Sequence, residues 1–110
     1  MSNFEVCEEL QKLRNYLDEH KIKWRDESDK GVSARKDNVV FPIYWMCRTK
    51  FNIKGNEFSV INGIGSYGGC IYAGAKNNGF LECWINQKGE PEGYLKAEDV
   101  IKKVEACAKK

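Results

Sequence analysis

The sequence has little of what most enzyme active sites use. It holds one histidine, His20, among 110 residues. This residue lies at the end of the first predicted helix, where capping the helix is its ordinary role. General acid–base catalysis needs a positioned partner group, and the sequence offers none beside the imidazole. We therefore expect no catalytic residue, no cofactor and no turnover.

Paired cysteines are also lacking. The five cysteines are odd in number, no two lie closer than 13 residues, and no CxxC motif occurs. Tetrahedral zinc sites need closely spaced pairs of ligands, so we expect no metal site. Cys47 has a neighbouring cation, Arg48, which could lower the pKa of a thiol. A buried, reduced strand cysteine is the better interpretation of Cys47.

Neither a strong charge excess nor a long apolar run is present. Eighteen basic and sixteen acidic side chains leave a formal net charge of +2, which does not favour nucleic acid as a partner. No apolar stretch reaches the roughly 20 residues that span a bilayer, and the N-terminus lacks the plan of a signal peptide. We expect one domain over residues 1–110, located in the cytoplasm, with no membrane partner.

Apolar residues at helical spacing predict a helix at each end of the chain. Residues 2–20 carry Val6, Leu10, Leu13 and Leu17 on one stripe, and Ser2 with Glu5 has the spacing of a capping box. The second helix is predicted over about Ala97–Ala108, with its stripe formed by Ala97, Val100, Ile101, Val104 and Cys107.

The middle of the chain is β-prone. We predict a short edge strand over residues 21–25, a mobile solvated loop over 26–38, and a long strand over 39–53 with a bulge or edge near Pro42. A turn at residues 54–56 makes a hairpin with the strand over 57–62. A further strand covers 80–85, and residues 86–93 form a turn. The predicted class is α+β: an N-terminal helix, an antiparallel sheet of about four to five strands, and a C-terminal helix packed on the sheet.

Alternation along the long strand predicts its two faces. Trp45, Cys47, Thr49, Phe51 and Ile53 should share one face, with Tyr44, Met46, Arg48 and Lys50 on the other. Phe58 and Val60 should likewise oppose Glu57, Ser59 and Ile61 on the next strand. Since large aromatic side chains dominate small cores, we expect Trp45 and Trp84 to be core residues on neighbouring strands.

Six of the ten glycines lie within residues 63–79, here named the glycine-rich loop. A dinucleotide fingerprint would require a helix directly after GIGSYGG, and the residues that follow do not predict one. Exposed backbone amides here could form an anion-binding nest. In that hypothesis the ligand residues are Gly65, Ser66, Tyr67, Gly68 and Gly69, with Arg48 or Lys50 neutralising charge. The structural alternative is a wide β-connection in which Tyr67 packs over bare glycine backbone.

Two stretches, RTKFNIKGNEFSVINGIGSYGG and GFLECWINQKGEPEGYLKAEDVIKKV, together about half of the chain, resemble small phage-encoded accessory proteins. The motifs are Arg48-Thr49, Ser59-Val60-Ile61, Gly65-Ser66-Tyr67-Gly68, Leu81-Glu82, and Gly93-Tyr94-Leu95 running to Asp99-Val100. Lys96 stands where a threonine would cap the helix. The resemblance implies a protein that acts by occupying something rather than by catalysis.

Two functions follow as hypotheses. The first is a counter-defence protein that sequesters a small anionic, nucleotide-derived ligand without turning it over, with its pocket between the protomers of a homo-oligomer. The second is an inhibitor that contacts a host defence protein directly, in the manner of an anti-CRISPR, through an exposed sheet edge or charged patch.

Overall fold

A computed structural model of the chain describes residues 6–70 and 76–109, with the side chains of residues 30–34 and 40–43 left out of the description. Its elements, in chain order, are α1 (Glu8–Glu19), β1 (Trp24–Asp26), β2 (Asp29–Lys36), β3 (Val39–Ile53), β4 (Asn56–Gly63), β5 (Leu81–Ile85), β6 (Glu92–Leu95) and α2 (Ala97–Ala108). The predicted α+β class is confirmed.

The strands form one antiparallel sheet in the order β1–β3–β4–β5–β6, and β2 also pairs with β3. Both β1 and β2 lie along the same long strand: β1 pairs with its C-terminal half and β2 with its N-terminal half. The predicted edge strand near residues 21–25 is therefore present, shifted to Trp24–Asp26. The described sheet has six strands because two segments assigned to a loop and a turn, β2 and β6, are extended.

The prediction of a mobile loop over residues 26–38 is wrong. Residues 29–36 form β2, and a two-residue turn joins Lys36 to its partner Val39. Both turn residues, Asp37 and Asn38, have positive φ angles, of 52° and 64°. Such a turn matches the twist of a β-hairpin, and short polar side chains tolerate the left-handed conformation. The turn thus forms without the glycine that usually marks it.

The long strand and its second hairpin are confirmed. β3 has the predicted bounds, and its register against β2 slips by one residue between the pairs Val32–Tyr44 and Ser33–Pro42, which is the predicted bulge. At the other end, Lys54 and Gly55 make the turn into β4 with φ angles of 49° and 87°. Ile53 and Asn56 close that hairpin.

Both described helices pack on one face of the sheet, and the core lies between them and it. Its buried members are Leu10, Leu13 and Leu17 from α1, Cys47, Phe51, Ile53, Phe58, Val60, Leu81, Cys83 and Leu95 from the strands, and Ala97, Val100 and Val104 from α2. The predicted stripes and strand faces are confirmed. α1 begins at Glu8 rather than at residue 2, and the proposed capping box of Ser2 and Glu5 lies outside the described residues.

The N-terminus of α2 is capped by a residue from the other helix. The Ala97 amide donates a hydrogen bond to the Glu9 carboxylate at 2.8 Å. Asp99 accepts from the Lys96 amide at 2.9 Å. These two carboxylates satisfy amides that have no partner within the helix. Glu9 from α1 and Asp99 from α2 thus stabilise the start of a helix whose N-cap residue is a lysine.

A buried arginine ties α1 to the sheet. Arg14 is 5% exposed, and its Nε donates to Thr49 Oγ1 at 2.7 Å. Its guanidinium forms an ion pair with Asp26 at 3.4 Å and stacks 4.6 Å from the centre of the Trp24 ring. Burial of a cation requires such partners. The arginine therefore has a structural role at the join between α1, β1 and β3.

Candidate functional site

The face of the sheet opposite the helices, here named the open face, carries the chemically active side chains. Two rows of residues cross β3, β4 and β5 on this face. In the first row Arg48 pairs with Ile61, which pairs with Glu82; in the second row Lys50 pairs with Ser59, which pairs with Trp84. Because side chains alternate along a strand, residues two apart on one strand form a column on this face. Arg48 and Lys50 form the column on β3, and Glu82 and Trp84 form the column on β5.

These six side chains line a cleft of about 270 Å³. Gln87 and Pro91, from the connection between β5 and β6, complete its lining. Ser59 lies between Lys50 and Trp84. Because its side chain is small, the surface of the sheet is depressed at the middle of the second row. The cleft therefore has a cationic side, a shallow floor and an aromatic and carboxylate side.

The cationic side is held in place by the segment that follows β1. Lys50 Nζ lies 3.3 Å from Glu27 Oε1, and an Arg48 guanidinium nitrogen donates to the backbone carbonyl of Glu27 at 3.2 Å. The pKa of Glu27 is lowered, first by its hydrogen bond from Arg25 and then by Lys50. Glu27 thus orients both cations: its carboxylate pairs with Lys50, and its backbone carbonyl accepts from Arg48.

The opposite side is fixed as well. The Trp84 indole donates to the carbonyl of Gly89 at 3.0 Å, which sets the orientation of the ring. Glu82 is only 9% exposed, and its Oε1 accepts the amide of Tyr67 at 2.7 Å. The expectation that Trp84 is a core residue beside Trp45 is wrong: β4 separates their strands, and Trp84 lies on the open face. Trp45 does pack against the core.

In the described part of the glycine-rich loop, residues 63–70 and 76–79, most backbone amides already have partners within the chain. Its amides at Gly65, Ser66, Gly69 and Cys70 donate to backbone carbonyls within the loop, at 2.7 to 3.3 Å. The Tyr67 amide takes the Glu82 carboxylate instead. The anion that this amide binds is thus the Glu82 carboxylate of the same chain. Short-range sequence patterns do not reveal such a partner. The amides of Gly65, Ser66, Tyr67 and Gly69 are therefore not available to an external anion in the way that the nest hypothesis requires.

The other residues of that hypothesis have structural contacts. The hydroxyl of the buried Ser66 donates to the Gly63 carbonyl at 2.9 Å and accepts its amide at 3.0 Å. A side chain at Gly69 would collide with that hydroxyl, and one at Gly68, whose φ is +98°, would meet Phe80 at 2.6 Å. Tyr67 packs its Cβ over Gly93, as the structural alternative predicts. Of the proposed ligand residues, only Arg48 and Lys50 line the cleft.

Sequence reasoning missed three parts of this site: Ser59, Glu82 and Trp84 as a single surface with the cations. Alternation could have placed Ser59 and Ile61 beside Arg48 and Lys50 once the hairpin was assumed. The pairing of β4 with β5 spans the whole glycine-rich loop, so its register could not be read from the sequence.

Cys47 and Cys83 lie on the core side of the sheet, away from the cleft. Burial raises the pKa of Cys47 to about 11 and that of Cys83 to about 12. Cys47 is buried and points opposite to Arg48, so the preferred interpretation, a buried strand cysteine, is confirmed. Within the part of the chain that the structure describes, no three His, Cys, Asp or Glu side chains are grouped so that they could hold a metal ion.

Comparison with family models, curated proteins and solved structures finds no match for this chain. The resemblance to phage accessory proteins stays a prediction. Among the described residues, neither helix is long and apolar enough to cross a bilayer.

Proposed function

We propose that this chain binds a small anionic ligand that carries a flat ring, as a nucleotide does, and holds it without turnover. The observation that carries the proposal is the cleft itself. Two oriented cations, Arg48 and Lys50, face an oriented indole, Trp84, across a floor of small or aliphatic side chains. A phosphate would lie against the cations and the ring would stack on Trp84.

Stacking on Trp84 and hydrogen bonds to the two cations can together provide enough free energy to bind a small ligand. Stacking of one base on an aromatic side chain contributes about 1–3 kcal/mol, and each hydrogen bond to a charged group about 1.5–3 kcal/mol. Both sides of the cleft are already positioned by contacts to Glu27 and Gly89. Preorganisation of this kind reduces the entropy lost on binding.

The lining supports binding rather than catalysis. Glu82 is the one carboxylate among the eight lining residues, and no imidazole or thiol accompanies it. Covalent or general acid–base chemistry would need a second such group within hydrogen-bond reach. In the phage setting implied by the sequence resemblance, the function would be sequestration of a nucleotide-derived defence signal in the host cytoplasm.

The test is isothermal titration calorimetry of the purified chain with nucleoside 5′-monophosphates, cyclic dinucleotides and ADP-ribose. At least one member should bind, and the double variant Arg48→Gln/Lys50→Gln should bind it about tenfold more weakly or worse. Lys102→Gln, an exposed lysine on α2, is the matched control and should bind as the wild type does. No heat with any member of the panel would refute the proposal.

A direct inhibitor of a host protein is the second candidate, favoured by one observation. Tyr67 and Tyr94 are 58% and 66% exposed and lie together beside the edge strand β6, where the Tyr94 amide donates to the Tyr67 carbonyl. Exposed aromatic side chains are typical anchors of protein interfaces. The cleft forms within one chain, so the predicted homo-oligomer no longer follows from the need for a pocket, and it stays a prediction.

A further inference from the structure

We infer that the cleft selects a guanine base over an adenine base, an inference that rests on the proposed function above. It comes from Glu82, which supports the Tyr67 amide and also lines the cleft. A carboxylate has only acceptor atoms, so the part of a ligand that meets it binds best when it offers hydrogen-bond donors. A ligand suited to the whole cleft therefore carries donors at the distance that separates Glu82 from the cations.

The sheet geometry sets that distance. Arg48 and Glu82 occupy the same row with one strand between them, and neighbouring strands lie about 4.8 Å apart. The cation column and the column of Glu82 and Trp84 are therefore separated by about 10 Å. A nucleotide lying across β4 would put its phosphate at Arg48 and Lys50 and its base at the far column.

Trp84 and Glu82 then divide the recognition of the base between them. They are two residues apart on β5 and point to the same face. A ring stacked on the fixed indole turns one edge toward the carboxylate. The amide of Tyr67 already fixes Glu82 Oε1 at 2.7 Å, so the carboxylate cannot rotate freely to suit any ligand.

Guanine is the base whose edge fits an acceptor-only group. It presents two adjacent donors, the ring N1–H and the exocyclic amino group, which match the two oxygens of a carboxylate. Each carboxylate oxygen can accept two hydrogen bonds, so Oε1 can accept one of these donors beside the Tyr67 amide. Adenine presents an amino donor beside a bare ring nitrogen, whose lone pair would face the carboxylate. Hypoxanthine keeps the ring N–H and lacks the amino group, so it should fall between the two.

The experiment is calorimetric titration of the wild-type chain with GMP, IMP and AMP, which share one phosphate. We expect GMP to bind about tenfold more tightly than IMP, and AMP to bind most weakly. Equal affinity for the three nucleotides would overturn the guanine inference and leave the proposed function standing. If none of the three binds, the guanine inference is overturned. If the cyclic dinucleotides and ADP-ribose also give no heat, the proposed function is overturned as well.

The variant Glu82→Gln separates recognition from a structural role. Glutamine keeps an oxygen that can accept the Tyr67 amide, and it can pair with both the donor and the acceptor of adenine. We expect the preference to reverse from GMP to AMP, while Glu105→Gln, an exposed change on α2, leaves it unchanged. An equal loss for all three nucleotides, in a variant with wild-type thermal unfolding, would contradict the inference.

Discussion

Glu82 connects the two parts of the molecule that looked separate in the sequence. Its carboxylate satisfies an amide of the glycine-rich loop, and the same side chain lines the cleft. The loop therefore orients a residue of the site from outside it. Gly68 and Gly69 of the loop allow close packing against Phe80 and Ser66, and the positive charge of the cleft comes from Arg48 and Lys50 of β3.

Replacing Glu9 should lower the free energy of unfolding mainly through the loss of one hydrogen bond, the one from the Ala97 amide. Glu9→Ala leaves the Ala97 amide without its acceptor, and we expect a loss of about 1 kcal/mol in the free energy of unfolding. Glu8→Ala is the matched control, because Glu8 also pairs with Lys12 but is not an acceptor for Ala97. The measurement is urea unfolding of both variants at pH 7, where Glu8→Ala should cost less than about 0.5 kcal/mol.

The pH dependence of this difference follows from the same contact. The pKa of Glu9 lies below its ordinary 4.5, first because of the hydrogen bond from Ala97 and then because of Lys12. A lowered pKa means that the stabilisation is present above pH 4.5 and is lost as the pH falls through the folded-state pKa. The gap between Glu9→Ala and wild type should therefore narrow in acid, and a gap that stays constant down to pH 2 would contradict the capping role.

At the scale of elements, the residues in three two-residue turns determined which strands of the sheet could be predicted from the sequence. Residues 37–38, 54–55 and 86–87 all have positive φ at both positions. The second pair, Lys54-Gly55, contains a glycine, and its hairpin is the one that the sequence predicted. The other turns use Asp37-Asn38 and Asn86-Gln87, which lack a glycine. The first follows β2 and the second precedes β6, the two strands that the sequence did not predict.

The turn at Asn38 offers a test of the β2–β3 hairpin. Asn38→Val places a β-branched residue at φ of 64° and should cost about 1–2 kcal/mol, whereas Asn38→Gly removes the strain. By amide hydrogen exchange, protection over residues 29–36 should fall about tenfold in the valine variant and be kept in the glycine variant. Unprotected amides over 29–36 in the wild type would restore the loop interpretation.

Local patterns and long-range pairing contributed differently to the site. Alternation predicted that Arg48 and Lys50 share a face opposite Cys47 and Phe51, because the period of two is a local property of a strand. The partner of the Tyr67 amide is 15 residues away along the chain, beyond any turn motif. The sequence therefore left the amides of Gly65, Ser66, Tyr67 and Gly69 without apparent partners, and the fold supplies those partners.

For the molecule as a whole, the core and the proposed binding cleft lie on opposite sides of one sheet. The described core joins α1 and α2 to the inner faces of the strands, and the cleft occupies the open face. Substitutions at Arg48, Lys50 and Glu82 should therefore change affinity with little change in core packing. This separation is suited to a protein that serves as a rigid platform for a ligand.

The most direct test of the account is an ¹H–¹⁵N correlation spectrum of the chain titrated with GMP. The account predicts concentration-dependent shifts at Arg48, Lys50 and Ser59 and at the Trp84 indole N–H, with the amides of Gly65, Ser66 and Gly69 unchanged. Shifts confined to those three loop amides, or a spectrum that does not change at all, would contradict the claim that the open face of the sheet is the binding site.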